Sequence, residues 1–262
     1  MRYKDKVVVV TGGSKGIGFG CVRVFVEDGG SEVVFCARNA EEGQSVEAHL
    51  NAHGPGRAHF VRCDVSKVDD VRALIDETVG KFGRIDCLIN NAGWHPVHKP
   101  IDDFSVQDFR NLLDLNLVSI FAACKFALPH LRKVKGNIIN MSSLVGAIGQ
   151  LHATTYVATK GAITALTKAL AVDEAAHEVR VNSVSPGNVY TPLWQEAIDA
   201  SVDPTATRAA GEEAQLLGRM GTIEEAGLLC LYLAADATFT TGVDHVLSGG
   251  AELGYGRKTR RG

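Results

Sequence analysis

The sequence predicts an α/β fold, with a parallel sheet of about seven strands and helices on both faces, in a single domain over residues 1–262. Short apolar runs alternate with longer segments of helical periodicity, and no linker or repeat interrupts them. The first run, residues 7–10, is continuously apolar, which is typical of a strand buried on both faces. With 262 residues, 45% of them hydrophobic, the chain is large enough to bury such a core.

The predicted elements follow one another in a regular order. Strands are expected at 7–10, 32–37, 58–62, 87–90, 137–141, 179–184 and 243–247. Helices are expected at 16–29, 40–52, 69–82, 104–131, 154–176 and 222–235. We expect the fourth helix to be bent or continuous and to end near Pro129, because proline interrupts helical hydrogen bonding. Strands joined through helices in this way run parallel, since each connection crosses one face of the sheet.

Two segments depart from this alternation. Residues 188–220 are rich in Ala, Thr and Pro and follow the sixth strand, at the end of the sheet where such folds bind ligands. They are predicted to form a mobile substrate lid, with a surface helical hairpin as the alternative. Residues 257–262 are basic, and we expect them to form a flexible, solvated tail.

Composition excludes several classes of function. Lys and Arg number 27 and Asp and Glu number 30, and this near balance argues against nucleic acid as the main partner. The six cysteines contain no CxxC pair, which predicts reduced, buried thiols rather than a disulfide framework, and no metal site is expected. The N-terminal residues lack the apolar segment of a signal peptide, and no apolar run has the length of a membrane span. We therefore expect a cytoplasmic protein without a membrane partner.

A glycine-rich turn follows the first predicted strand. Residues 11–18 read Thr-Gly-Gly-Ser-Lys-Gly-Ile-Gly and lead into the first predicted helix. At such a turn backbone N–H groups face an anion, and the missing side chains let a pyrophosphate approach closely. The spacing is not GxGxxG, because Cys21 stands at the third glycine position, and it is not a P-loop either. The turn predicts a Rossmann-like, doubly wound sheet that binds a dinucleotide; an ordinary strand-to-helix turn is the alternative.

Tyr156 and Lys160 stand four residues apart on a predicted helix, so that their side chains share one face. A free tyrosine has a pKa of about 10. A neighbouring ammonium group lowers that pKa, because it favours the phenolate. Tyr156 is therefore expected to take a proton from an alcohol or to give one to a carbonyl, while Ser143 hydrogen-bonds the substrate oxygen. A surface pair at helical spacing is the alternative.

These motifs together resemble the short-chain dehydrogenase/reductase family. Residues 11–18 match its TGxxxGxG turn, 90–93 its NNAG segment, 156–160 its YxxxK motif and 186–191 its PG…T motif. The resemblance covers nearly the whole chain. It implies an NAD(P)-dependent oxidoreductase that interconverts a secondary alcohol and a ketone, and it implies a homotetramer.

The same resemblance implies which residues form the site. The catalytic residues would be Asn116, which anchors a relay water, and Ser143, Tyr156 and Lys160. The cofactor-binding residues would be Gly12, Ser14, Lys15, Gly16, Ile17, Gly18, Arg38, Asp64, Val65, Asn91, Ala92, Gly93, Tyr156, Lys160, Pro186, Gly187, Val189 and Thr191. The substrate-binding residues would be His95, Ser143, Gln150, Tyr156, Trp194 and Tyr255, the last from its own or a neighbouring subunit.

The end of the second strand bears on cofactor choice. An acidic residue there would bind the ribose hydroxyls of NAD, but Ala37 is followed by Arg38. Arg38 and Lys15 suit the 2′-phosphate of NADP, so that NADP(H) is favoured over NAD(H). Arg38 stacking on adenine is the alternative, and Glu41 and Glu42 reduce the positive field.

The substrate stays open between two chemical classes. Residues 142–150, 185–194 and 249–256 are similar to a family member that acts on 17β-hydroxysteroids and on L-fucose. This similarity implies oxidation of a 17β-hydroxysteroid such as estradiol or androstenediol, with L-fucose or another sugar as the alternative. Trp194 suits a flat apolar steroid, whereas His95 and Gln150 suit sugar hydroxyls. Two other functions are alternatives. One is a non-catalytic regulator that binds a dinucleotide, and the other is a nucleotide-sugar epimerase, which would need a further substrate domain.

Overall fold

A computed structural model describes residues 1–253 and contains all seven predicted strands. Their bounds are β1 Val7–Thr11, β2 Glu32–Ala37, β3 Arg57–Arg62, β4 Cys87–Asn90, β5 Asn137–Met141, β6 Arg180–Pro186 and β7 Asp244–Leu247. They form one parallel sheet in the order β3-β2-β1-β4-β5-β6-β7. The fold is thus the Rossmann-like, doubly wound α/β domain that the sequence predicts, and Val9 at its centre pairs with Val34 on one side and Leu88 on the other.

Helices cover both faces of the sheet. Their bounds are α1 Gly16–Val24, α2 Ala40–Asn51, α3 Val68–Phe82, α4 Val106–Leu113, α5 Ser119–Val134, α6 Val145–Ile148, α7 Thr154–Glu174, α8 Pro192–Asp199, α9 Pro204–Glu213 and α10 Ile223–Ala235. Alternate residues of β1 point into two separate cores. Val8 and Val10 pack with Phe25 and Leu231 on the α1 and α10 face, whereas Val9 packs with Leu74 on the α3 face. This two-sided burial explains why the strand is apolar throughout.

The long helical segment differs from its prediction at the C-terminal end. Helix α4 passes through a π-helical turn, Asp114–Val118, into α5, which continues through Pro129 to Val134. The expected end near Pro129 is therefore wrong. A proline removes one helical hydrogen bond, and here the buried side chains of Leu128 and Leu131 hold the helix against the sheet on both sides of it.

The same segment has a composition that bears on membrane insertion. The combined helix Val106–Val134 is long and apolar enough to cross a membrane, with a mean hydropathy of 1.5 over its most apolar window. Half of that window, 50%, is buried inside the protein. Packing inside the protein thus accounts for half of this apolar window. All six cysteines are free, buried thiols, as the sequence predicts.

Residues 188–220 fold into α8 and α9 beyond the end of β6. The side chain of Asn188, in the loop before α8, donates to the carbonyl of Gly211 in α9 at 2.9 Å. The six-membered ring of Trp194 also lies directly over Gly211. This small helical unit stands at the carboxyl edge of the sheet, where the order of the strands reverses between β1 and β4.

Candidate active site

The glycine turn between β1 and α1 is a cradle built of backbone. Gly12 and Gly16 have φ angles of +67° and +59°, a region in which side chains other than hydrogen are strained. A Cβ added at Gly18 would overlap the carbonyl oxygen of Gly12. The turn therefore requires glycine at these three positions, and it leaves the N-terminus of α1 open to an anion. These residues fit the pyrophosphate of a dinucleotide.

The end of β4 fixes the position of this turn. The Thr11 hydroxyl accepts the backbone N–H groups of Asn91 at 3.0 Å and of Ala92 at 3.1 Å. The Asn91 side chain in turn donates to the carbonyl oxygens of Thr11 and Gly12, each at 3.0 Å. The structure thus brings the NNAG segment and the glycine turn together.

Asn116 lies in the π-helical turn and is fully buried, with 0% exposure. Its Oδ1 accepts the backbone N–H of Trp94 at 2.8 Å, and its Nδ2 donates to the carbonyl of Trp94 at 3.0 Å and to the hydroxyl of Thr159 at 3.2 Å. A π-helical turn inside an α-helix is common at functional sites. The amide holds the loop after β4 against α7, and its expected part in anchoring a water stays a prediction.

Lys160 points from α7 to the end of β5. Its Nζ donates to the carbonyl of Met141 at 2.9 Å, while the Ser142 hydroxyl donates to the Lys160 carbonyl at 2.8 Å. The lysine is buried, and this burial lowers its pKa to about 8. A Cβ placed on Gly93 would lie 3.7 Å from Nζ and 3.3 Å from Oδ1 of Asn116. The glycine of the NNAG segment therefore passes closely over both groups.

Tyr156 lies one helical turn before Lys160, with Nζ 5.6 Å from the centre of its ring. Burial raises the pKa of the phenol to about 12, and a hydrogen bond with the Ser143 side chain acts in the opposite direction. The expected lowering of this pKa by Lys160 is therefore wrong for the protein alone. Lys160 is itself desolvated, and the burial of the phenol outweighs the effect of nearby polar groups.

Two of the predicted substrate-binding residues meet beside this tyrosine. The imidazole of His95 packs against the ring of Tyr156, with ring centroids 4.1 Å apart and the planes inclined by 43°. Its Nδ1 lies 2.7 Å from the carbonyl of Pro96, and its Nε2 lies 3.2 Å from Oε1 of Gln150. His95 and Ser143 thus both contact Tyr156, and Gln150 contacts His95. These four residues are called the Tyr156 opening below.

The remaining predicted substrate residues are placed differently. The Trp194 ring packs on Gly211 of α9, so the structure shows it as an anchor between the two lid helices, and its contact with a substrate stays a prediction. Tyr255 lies outside the described residues.

The segment after β6 faces the glycine turn. Pro186 accepts the backbone N–H of Leu144 at 3.0 Å, and Val189 is buried. The Thr191 hydroxyl caps the start of α8, and its methyl group lies 3.7 Å from where a Cβ on Gly16 would stand. The PG…T segment and the glycine turn therefore border the same space.

The expected adenosine-binding residues lie at the ends of β2 and β3. Arg38 and Lys15 are exposed, and among residues 1–253 neither forms a salt bridge. The pKa of Asp64 is lowered, mainly because it accepts hydrogen bonds from Ser66 and with a smaller contribution from Arg38. Val65 is buried next to it.

Sequence reasoning missed two histidines near the Tyr156 opening. His98 stacks on His95 with ring centroids 4.9 Å apart. Its pKa is lowered by burial first, and then by the charges of His95 and His152. The spacing of His95 and His98 in one loop was the available signal, but the effect of the His152 charge depends on the fold.

A backbone cradle for a dinucleotide next to a partly buried tyrosine, a buried lysine and a serine is the arrangement of an alcohol dehydrogenase-type oxidoreductase. The chain belongs to the short-chain dehydrogenase/reductase family, whose "short chain dehydrogenase" model matches residues 6–201.

Several known proteins are similar to the chain over nearly its full length. It is 54% identical to L-fucose dehydrogenase of Bos taurus over 98% of this chain and 93% of the relative. It is 38% identical to 3beta-hydroxysteroid dehydrogenase 1 of Eggerthella lenta over 95% of each chain. Among solved structures, L-sorbose reductase from Gluconobacter frateurii, complexed with NADPH and L-sorbose, superposes with a TM-score of 0.90 at 25% identity, over 96% of this chain and 98% of that one.

Proposed function

We propose that the protein is an NAD(P)-dependent sugar dehydrogenase that oxidises L-fucose or a closely related sugar. Relatives that are L-fucose dehydrogenases share up to 55% of their residues with the chain, whereas the hydroxysteroid dehydrogenase relative shares 38%. The 17β-hydroxysteroid activity expected from the sequence therefore receives less support than its sugar alternative. The regulator without catalysis loses its support, since the chain belongs to a family of dehydrogenases.

The polar pair His95 and Gln150 is the observation that supports this proposal best. A carbonyl oxygen only accepts, so the hydrogen between His95 and Pro96 belongs to Nδ1. Nε2 lies 3.2 Å from the side-chain amide of Gln150, so the two residues place an imidazole nitrogen and an amide next to Tyr156. Both groups form hydrogen bonds, and a sugar carries several hydroxyls that can pair with them. A steroid carries few polar groups beyond its reacting hydroxyl.

The residues around the Tyr156 opening have complementary parts in the reaction. The glycine turn of residues 12–18 would hold a nicotinamide dinucleotide, which would supply the hydride acceptor for oxidation of the alcohol carbon. The Tyr156 hydroxyl exchanges the proton of the reacting oxygen, and Ser143 hydrogen-bonds that oxygen. Lys160 holds its ammonium group 5.6 Å from the centre of the Tyr156 ring, and Asn116 ties the loop after β4 to α7.

Substrate assays with matched variants test this proposal. L-fucose, estradiol and androstenediol are offered side by side, and we expect kcat/KM to be highest for L-fucose. Gln150→Ala removes the amide, and we expect it to lower kcat/KM for L-fucose about tenfold, or about 1.4 kcal/mol. His53→Asn, which changes an exposed histidine at the end of α2, is the control and leaves the activity unchanged. Turnover of the steroids alone would reject the sugar assignment.

For the cofactor we propose a preference for NADP(H). Arg38 and Lys15 are exposed cations at the expected adenosine end of the site, and a planar guanidinium matches the 2′-phosphate. Arg38→Ala is expected to weaken NADP⁺ binding by about tenfold or more and to leave NAD⁺ binding within about twofold. Calorimetric titration with both cofactors measures this, and equal losses for the two would reject the preference.

Three further expectations complete the proposal. Phe121 on α5 and Val172 on α7 are exposed apolar side chains, 53% and 77% accessible, which supports assembly of copies through these helices into a homotetramer. Sedimentation of the purified protein measures the number of subunits.

We also propose that α8 and α9 act as the substrate lid, which hydrogen exchange with and without substrate tests. We further propose that the protein is cytoplasmic, which cell fractionation tests.

A further inference from the structure

Glu42 lies against the glycine turn, although 28 residues separate it from Ser14. Its Oε2 accepts the hydroxyl hydrogen of Ser14 at 2.8 Å. The backbone N–H of Glu42 is capped by the side chain of Asn39 at 3.2 Å, which fixes the first turn of α2. Ser14 is only 8% exposed, so the carboxylate is held at a defined corner between the turn and α2.

This corner is where a doubly wound fold distinguishes the two dinucleotides. The backbone N–H of Gly13 donates to the carbonyl of Cys36 at 3.0 Å, which ties the turn to the end of β2. A carboxylate next to that strand end binds ribose hydroxyls and repels a 2′-phosphate. Ala37 carries no such group at the strand end itself. Glu42, from the next helix, hydrogen-bonds Ser14, the residue after Gly13, and so places a carboxylate beside the same part of the turn.

We propose that Glu42 is a cofactor-specificity residue, whose carboxylate opposes a 2′-phosphate and limits the preference for NADP(H) that Arg38 and Lys15 create. The inference rests on the proposed dinucleotide-dependent function. The Glu42 carboxylate weakens NADP(H) binding relative to what Arg38 and Lys15 alone would give. NAD(H), which has no 2′-phosphate, is not repelled. The protein is thereby able to work with either cofactor.

Glu41 provides a matched control. It precedes Glu42 in the first turn of α2 and carries the same charge, but it is exposed, and among the described residues it makes no side-chain hydrogen bond to the turn. A general effect of net charge would be the same for both residues. An effect of the carboxylate that contacts Ser14 would change NADP⁺ affinity only in the Glu42 variant.

Calorimetric titration of the purified full-length protein with NADP⁺ and with NAD⁺ tests the proposal. Glu42→Gln removes the charge and keeps an oxygen that accepts from Ser14, so the fold is preserved, and thermal unfolding of the variant checks this. We expect Glu42→Gln to tighten NADP⁺ binding about tenfold, equivalent to about 1.4 kcal/mol, and to leave NAD⁺ binding equal or weaker. Glu41→Gln is expected to change neither affinity by more than about twofold, and the gain for Glu42→Gln should shrink in high salt.

Two results would overturn the inference: an unchanged ratio of the two affinities in Glu42→Gln, or the same gain in Glu41→Gln. These results are distinguishable from failure of the proposed function. If neither dinucleotide binds the parent protein, the function itself is wrong. If Arg38→Ala leaves NADP⁺ binding intact while Glu42→Gln tightens it, the role of Glu42 stands and only the assigned role of Arg38 fails.

Discussion

Replacing Tyr156 by phenylalanine removes one oxygen atom from the centre of the site. The phenol has its pKa raised to about 12 by burial. At pH 8 such a group is ionised in roughly one molecule in ten thousand, and forming its phenolate costs about 5 kcal/mol. The phenolate is therefore available only when positive charge in the assembled complex offsets this cost, and the rate of alcohol oxidation should rise with pH above neutrality.

The expected loss follows from the role of the hydroxyl as general acid and base. Such a group contributes about a hundred- to ten-thousand-fold to the rate. Tyr156→Phe should therefore lower kcat for L-fucose oxidation by at least about a hundredfold. Cofactor affinity should remain within about twofold, because the backbone cradle of Gly12 and Gly16 is untouched.

Steady-state kinetics and calorimetry on the same preparation measure both quantities. Tyr232→Phe on α10 is the control, since that tyrosine is 47% exposed and lies outside the proposed catalytic group. Turnover of Tyr156→Phe within about tenfold of the parent, with the control unchanged, would refute the assignment of Tyr156 as the proton-transferring group.

Three other perturbations have defined outcomes. Gly18→Ala places a Cβ against the carbonyl oxygen of Gly12 and should abolish dinucleotide binding measured by calorimetry. Gly80→Ala, at an open position in helix α3, is the control and should raise the free energy of unfolding by about 1 kcal/mol. Retained dinucleotide binding in Gly18→Ala would contradict the role of the glycine turn. The pKa of Lys160 is lowered from 10.5 to about 8, so the unfolded chain holds that proton more tightly, and stability rises with pH between these values. Relative to Lys160→Met, the parent should gain about 3 kcal/mol in urea unfolding across this window, and a flat difference would disprove the burial effect. Asp86 is 2% exposed and accepts from Arg84 at 2.8 Å, so Asp86→Ala should cost about 3 kcal/mol in the same assay, and a loss below about 1 kcal/mol would show the pair to be unimportant.

Local patterns were sufficient to predict most of the architecture. The continuous apolar run in β1 and the periodic helical segments are properties of neighbouring residues, and strand bounds such as Glu32–Ala37 were predicted to the residue. The end of α5 was not, because its continuation through Pro129 depends on burial of Leu131 against the sheet. A proline weakens a helix by a local rule, but packing with distant residues decides whether the helix stops.

For the site, the sequence alone determined which chemical groups are present and roughly where. The four-residue spacing of Tyr156 and Lys160 and the glycines of the first turn are readable from the chain, because helix geometry and backbone freedom are local properties. Only the tertiary structure decided that the pKa of Tyr156 rises, and that Glu42 reaches the hydroxyl of Ser14. Both outcomes depend on which segments exclude water and meet in space, and residues far apart in the chain determine this.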